Sequence, residues 1–234
     1  MFAMLPLSMI GCFDLGEFVA GATEETFVAG TVLGLSASEN MNLVGTRYEE
    51  GSRAAAYLGN LNGEAVDGAM GVLSDSNGSH PLESVGDGGW ISGGLTYTPG
   101  EIYSLLRDGE VVLSAEAAPA VELDVEPTHT AGAPLTIDIR DQEFALLLVT
   151  VLDLEEGVEL WDNVPDDLAH ASESEEEDPL LVEIPGEAFP ADARLALGVA
   201  GLRLNDPADA YDVNTLVSTL ATGLLVLHSV ETSD

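Results

Sequence analysis

The feature that most narrows the fold of this chain is a side-chain period of two. Val121-Glu122-Leu123-Asp124-Val125-Glu126 alternates apolar and acidic residues without a break, and Leu135-Thr136-Ile137-Asp138-Ile139-Arg140 alternates apolar and polar ones. Successive side chains of an extended strand point to opposite sides, so both stretches describe strands with one face on a core and one in water. Their acids are then solvated outer faces. Further strands are expected near 26–35, 42–48, 53–58, 64–73, 102–106 and 110–115, and later near 144–153, 180–184, 194–204 and 223–231. The run from Phe144 to Leu152 is apolar on both sides, which predicts a central strand or one covered on both faces.

Turn chemistry separates these runs: Asn60-Leu61-Asn62-Gly63, Ser76-Asn77-Gly78, Gly86-Asp87-Gly88-Gly89, Pro99-Gly100 and Asp108-Gly109. Gly and Asn adopt positive φ at little cost, and Pro presets the first turn position. One short helix is expected over Val213 to Ala221, with Leu216 and Leu220 four apart and Gly223 beyond as a stop; a polar loop anchored by two leucines is the other reading. Short strands at close spacing with so little helix predict an all-β chain of two consecutive β-sandwiches, each of ~100 residues. The boundary between them is expected at Ala117-Ala118-Pro119-Ala120, where a small-residue segment precedes the fresh alternation from Val121.

Charge excludes several functions. The chain carries 42 acidic residues against 6 basic ones, all of them Arg, for a formal net charge of -36. Such a surface repels phosphate backbones, so nucleic acid is not an expected partner. Without lysine there is no P-loop and no Schiff-base chemistry. A single cysteine excludes an intrachain disulfide, a cysteine-based zinc site and an iron–sulfur cluster. The acidity has three readings: solubility in salty surroundings, where ions screen self-repulsion; cation binding, mainly calcium; or recognition of a basic partner. The acids are spread along the whole chain, which favours the first.

That one cysteine, Cys12, follows a short apolar start in Leu7-Ser8-Met9-Ile10-Gly11-Cys12. A lone thiol after a small residue and a short hydrophobic run is the layout of a bacterial lipoprotein acceptor site. On this reading residues 1–11 are a signal peptide, Cys12 carries lipid, and residues 12–24 are a tether. The remainder is then held at a membrane of the cell envelope, as an outer-membrane or surface lipoprotein facing away from the cytoplasm. The start departs from the usual layout, because no Arg precedes Arg47 and Met9 stands where Leu is usual. The apolar run is too short to cross a bilayer as a helix. A buried free thiol on an N-terminal strand is the alternative.

Residues 64–116 resemble a carboxypeptidase-regulatory-like (transthyretin-like) sandwich, through Glu64-Ala65-Val66-Asp67-Gly68-Ala69, Gly89-Trp90 and Thr98-Pro99-Gly100-Glu101-Ile102-Tyr103. Residues 121–231 resemble a fibronectin type III or other immunoglobulin-like module, through Val125-Glu126-Pro127, Ala131-Gly132-Ala133-Pro134-Leu135, and Val182-Glu183-Ile184-Pro185 before Phe189-Pro190. The pairing is familiar among bacterial envelope lipoproteins. It implies a transthyretin-like sandwich over residues 25–118 and an immunoglobulin-like one over 121–234. Arg140 departs from the pattern by ending the second strand of the latter, where an aromatic often fills the core. These motifs encode turns and core positions, so the resemblance implies adhesion, scaffolding or display and brings no active site with it.

Candidate ligand sites are sparse. Asp75-Ser76-Asn77-Gly78-Ser79 sets oxygens at alternate positions, as at the start of a calcium loop, but lacks the twelve-residue layout; a plain turn also accounts for it. Asp206, Asp209 and Asp212 form a second acidic loop beside the expected C-terminal sandwich. Glu173 to Asp178 is the densest run of charge and reads as a solvated loop. Calcium is therefore the one cofactor candidate. The four histidines (80, 129, 170 and 228) show no metal-ligand spacing, and His228, alternating with Val226 and Val230, reads as a strand-face residue. No Gly-x-Ser-x-Gly elbow occurs, and no enzyme is expected. Trp90 reads as core. Trp161, in Leu160-Trp161-Asp162-Asn163, is the candidate for contact with a glycan or protein partner, with packing at a core or rim as the other reading.

Overall fold

A computed structural model describes residues 26–37, 51–60, 70–74, 78–86, 89–107, 109–163, 178–204 and 219–233. Within these the chain is all-β, apart from one 3-10 turn at Gly186–Ala188. The strands are β1 (Thr26–Ala37), β2 (Gly51–Asn60), β3 (Met70–Ser74), β4 (Gly78–Pro81), β5 (Glu83–Gly86), β6 (Gly89–Leu95), β7 (Ile102–Arg107) and β8 (Glu110–Glu116). They continue as β9 (Thr128–Thr130), β10 (Leu135–Asp138), β11 (Leu146–Asp153), β12 (Glu159–Asp162), β13 (Leu181–Ile184), β14 (Arg194–Leu204) and β15 (Thr219–Ser233).

The expected strands near 26–35, 53–58, 102–106, 110–115, 135–140, 144–153, 180–184 and 194–204 are all present, as β1, β2, β7, β8, β10, β11, β13 and β14. The one near 64–73 is described only from Met70, and 42–48 lies outside the described residues. Two expectations are corrected. Residues 219–221, placed at the end of a helix, begin β15, while 213–218 lie outside the described residues. Leu220 and Ala221 are flanked by Thr219 and Thr222, and pairing with strands on both sides overrides the helical spacing of two leucines. Residues 121–126 keep the predicted alternation, with Val121, Leu123 and Val125 inward and the acids exposed, yet they join no ladder. The amide of Gln142 stands in for a partner strand. Glu122 N donates to its Oε1 at 2.9 Å, and its Nε2 donates to the Glu122 carbonyl at 2.9 Å.

One nine-stranded sheet organises the molecule. Its order is β12-β11-β14-β15-β1-β2-β6-β5, with β9 also pairing to β15. A four-stranded sheet, β4-β3-β7-β8, and a two-stranded one, β10-β13, are the others among the described residues. Residues in register share a face, and so do residues two apart along a strand. On one face of the large sheet Val32, Leu95 and Leu220 pack against Tyr103, Leu105, Leu113 and Ala115 of the four-stranded sheet. Further along the same face Leu147, Val149, Val151, Leu195, Leu197, Val199 and Val230 pack against Ile137, Ile139, Ile184 and Phe189. The opposite face is apolar and buried as well, through Leu152, Ala196 and Leu227. That arrangement matches the two-sided apolar run read from Phe144 to Leu152.

The segment joining the two cores is tightly bonded. Ala117 N donates to the Glu101 carbonyl at 2.7 Å, and the Ala117 carbonyl accepts from Gly100 N at 2.9 Å. Ala118 N donates to Thr222 Oγ1 at 3.1 Å, and the Ala118 carbonyl accepts from the Tyr97 hydroxyl at 3.0 Å. Thr222 Oγ1 donates in turn to the Glu116 carbonyl at 2.9 Å. Every backbone group of two fully buried residues thus finds a partner. Gly34 makes room for this clamp, because a Cβ there would lie 2.6 Å from Tyr97 Cγ and 2.7 Å from Leu224 Cδ1. Tyr97 stacks on Tyr103 with ring centroids 5.7 Å apart. The Tyr103 hydroxyl closes the loop behind it, donating to the Thr96 carbonyl at 2.9 Å and accepting from Thr98 N at 3.0 Å.

Candidate functional site

The β11–β12 hairpin holds the most perturbed ionisable group among the described residues with a carboxyl or imidazole side chain. Its turn is built by Asp153, whose Oδ1 accepts from Glu155 N at 2.7 Å and Glu156 N at 2.9 Å. Gly157 closes the turn with φ of 66°, a conformation that favours glycine. Past the turn the pairing slips. Leu152 lies opposite Glu159, Val151 opposite Trp161 and Thr150 opposite Asp162, so Leu160 is the extra residue of a bulge. Three positions apart, Glu159 and Asp162 would face opposite sides of a regular strand. The bulge returns them to one face.

Thr150, fully buried, lies beneath them and directs its hydroxyl to Glu159 Oε2 at 3.3 Å and the Trp161 carbonyl at 3.4 Å. The Glu159 carboxyl is pushed up to about 7, first by burial and then by the hydrogen bond and negative charge of Asp162; the Thr150 hydroxyl acts in the opposite sense. Beyond the pair, Asn163 continues the ladder with its side chain. Val149 N donates to its Oδ1 at 2.7 Å, and its Nδ2 donates to the Leu147 carbonyl at 2.8 Å. The arrangement sets two carboxyls on one face of the hairpin, where burial and the neighbouring charge strengthen the hold of Glu159 on its proton. Among the described residues no group of three or more His, Cys, Asp or Glu is placed to hold a metal ion.

Trp161 lies half-buried on the other face of β12, against the second core beside Val151. Trp90 packs against the first core. His228 is half-buried on the face of β15 that it shares with Val226 and Val230, and burial lowers its pKa. His129 Nε2 is 2.8 Å from the Ala133 carbonyl, and its ring lies 4.3 Å from that of Phe189. Arg140, at the surface, pairs with Asp138 and reaches Asp178 at 4.0 Å; the guanidinium holds the Asp138 carboxyl down at about 2. Cys12, Asp75, Asn77, Asp206, Asp209 and Asp212 lie outside the described residues, as do His170 and the acidic run from Glu173 to Glu177.

The Glu159–Asp162 pair was not legible as a unit, because a strand reading puts i and i+3 on opposite faces. The one available hint was Glu156-Gly157 ahead of Val158, a turn followed by a strand only four residues long. No protein-family model matches the chain, and no curated protein matches it.

Proposed function

We propose that this chain is a non-catalytic, lipid-anchored protein of the cell envelope that serves as a structural or surface-interaction component. The supporting observation is how several polar side chains at the joints of the fold are used. Thr222, Thr232, Gln142, Asn163 and Tyr103 all bond to backbone groups, completing sheets and joints. Thr232, for example, accepts from Ala193 N at 2.9 Å and donates to the Pro190 carbonyl at 2.5 Å. Side chains used in this way hold a scaffold; a catalytic site needs them free to meet a substrate. Two cores laid on one sheet suit a rigid spacer or display body, and they are compatible with a transthyretin-like module followed by an immunoglobulin-like one.

The anchor reading rests on Leu7-Ser8-Met9-Ile10-Gly11-Cys12, and the acidity keeps such a body soluble and clear of anionic headgroups. The test is intact-mass spectrometry of the chain isolated from membranes. A diacylglycerol adduct on a chain beginning at Cys12, absent in Cys12→Ser, is the expected result. An unmodified chain retaining Met1 would overturn the anchor.

A further inference from the structure

β1 and β15 run parallel, in a sheet whose other pairings, except that of β9 with β15, are antiparallel. Nine residue pairs are in register, from Ala29 beside Thr219 to Ala37 beside Leu227. The chain enters the described sheet through β1 and leaves it through β15. A pull on the N-terminal side of β1 therefore acts at the Ala29 end of the shared ladder. A pull on the C-terminal side of β15 acts at the Leu227 end, in the opposite direction along parallel strands. The whole ladder is then loaded in shear, and its bonds must fail together. Pulling both strands from the same end would instead open the pairs one after another.

The joint is supported on all sides. β1 is held on its other edge by β2, from Thr26 beside Asn60 to Leu35 beside Gly51, so load entering β1 spreads into the N-terminal half. β15 is held by β14 from Arg194 beside Glu231 to Leu204 beside Ala221. Part of the ladder is also buried on both faces. Val32, Leu220 and Thr222 shield one side, and Thr31, Ala221 and Leu227 the other, which limits the access of water to the bonds between them, whereas Leu33, Leu35 to Ala37 and Leu224 to Val226 are half-buried. The Thr222 bonds to Glu116 and Ala118 fasten the segment between the cores to the same strand.

From this geometry we infer a further function: the chain bears mechanical load applied between the N-terminal side of β1 and the C-terminal side of β15, with the β1–β15 ladder as the shear clamp. The direction of load rests on the membrane-anchor reading above; the strength of the clamp does not.

The test is optical-tweezers unfolding of the full chain in a Cys12→Ser background, at one loading rate and without lipid. Glu25→Cys with Asp234→Cys supplies handles for shear. Glu25→Cys with Ser218→Cys supplies handles at the same end of both strands. All three substitutions flank the strands in sequence rather than enter them. The expected result is an unfolding force about twofold or more higher in the first geometry, because forced unfolding follows the barrier along the pulled coordinate. Equal forces, or a weaker response in shear, would overturn the clamp. That failure would leave the lipid adduct on Cys12 untouched, and absence of the adduct would leave a strong clamp standing, so the two readings fail separately.

Discussion

Replacing Thr222 by valine removes one hydroxyl and keeps the side chain's shape. In the native fold that hydroxyl accepts from Ala118 N at 3.1 Å and donates to the Glu116 carbonyl at 2.9 Å. Thr222 and Ala118 are both fully buried, so water cannot easily take its place. A buried polar group left without a partner costs ~1–3 kcal/mol, and two such groups together put the loss at about 3 kcal/mol. Thr222→Ser keeps the hydroxyl and sheds one methyl, which costs ~1 kcal/mol. With a urea dependence of ~3 kcal/mol per molar, the valine variant's midpoint falls by about 1 M and the serine variant's by about a third of that. Equilibrium urea unfolding followed by the fluorescence of Trp90 and Trp161 reads both cores, because the two indoles pack against different ones. A valine midpoint equal to the parent's, or a serine variant as weak as the valine one, would refute the claim that this hydroxyl secures the joint.

Three more outcomes follow from the same structure. Gly34→Ala sets a methyl 2.6 Å from Tyr97 Cγ and 2.7 Å from Leu224 Cδ1, so it should lower stability by ~1–3 kcal/mol in urea titration; a neutral result would mean that Tyr97 does not lie over the sheet there. The Glu159 carboxyl binds its proton more tightly in the folded chain, with its pKa raised from 4.5 to about 7. Its contribution to stability is therefore fully present below the unfolded value and is lost as pH rises through the folded one. Glu159→Gln should flatten that fall between pH 4.5 and 7 in thermal melts, and an unchanged profile would remove the group from the account. With a net charge of -36, the melting temperature should climb with sodium chloride into the molar range, whereas a flat response would count against salt adaptation.

Sequence periodicity carried the strands whose two faces differ in environment, and those whose apolar run is long. β14 matched its expected span residue for residue, because Arg194 to Leu204 is bounded by Asp192 and Asn205 and is otherwise nearly continuous in apolar and small residues. The strands that escaped notice are short or rich in glycine and serine. β4 (Gly78–Pro81), β5 (Glu83–Gly86) and β6 (Gly89–Leu95) read as turn chemistry until their ladders are seen. Long-range pairing was also illegible. Nothing local tells β15 that one edge will meet β1, nearly two hundred residues earlier, or that Gln142 will complete Glu122. The Glu159–Asp162 pair depends on a bulge, and a one-residue slip reverses every later side chain. Polar side chains that bond to backbone look like any other surface Thr, Asn or Gln in a sequence.

A single sheet passes through both cores by way of the parallel β1–β15 ladder. Nuclear Overhauser contacts between backbone protons of the two strands test it most directly. Contacts in the register that sets Val32 beside Thr222 and Leu33 beside Gly223, advancing in the same direction along both strands, are the predicted result. Contacts in an antiparallel order, or none between these strands in the folded chain, would contradict it.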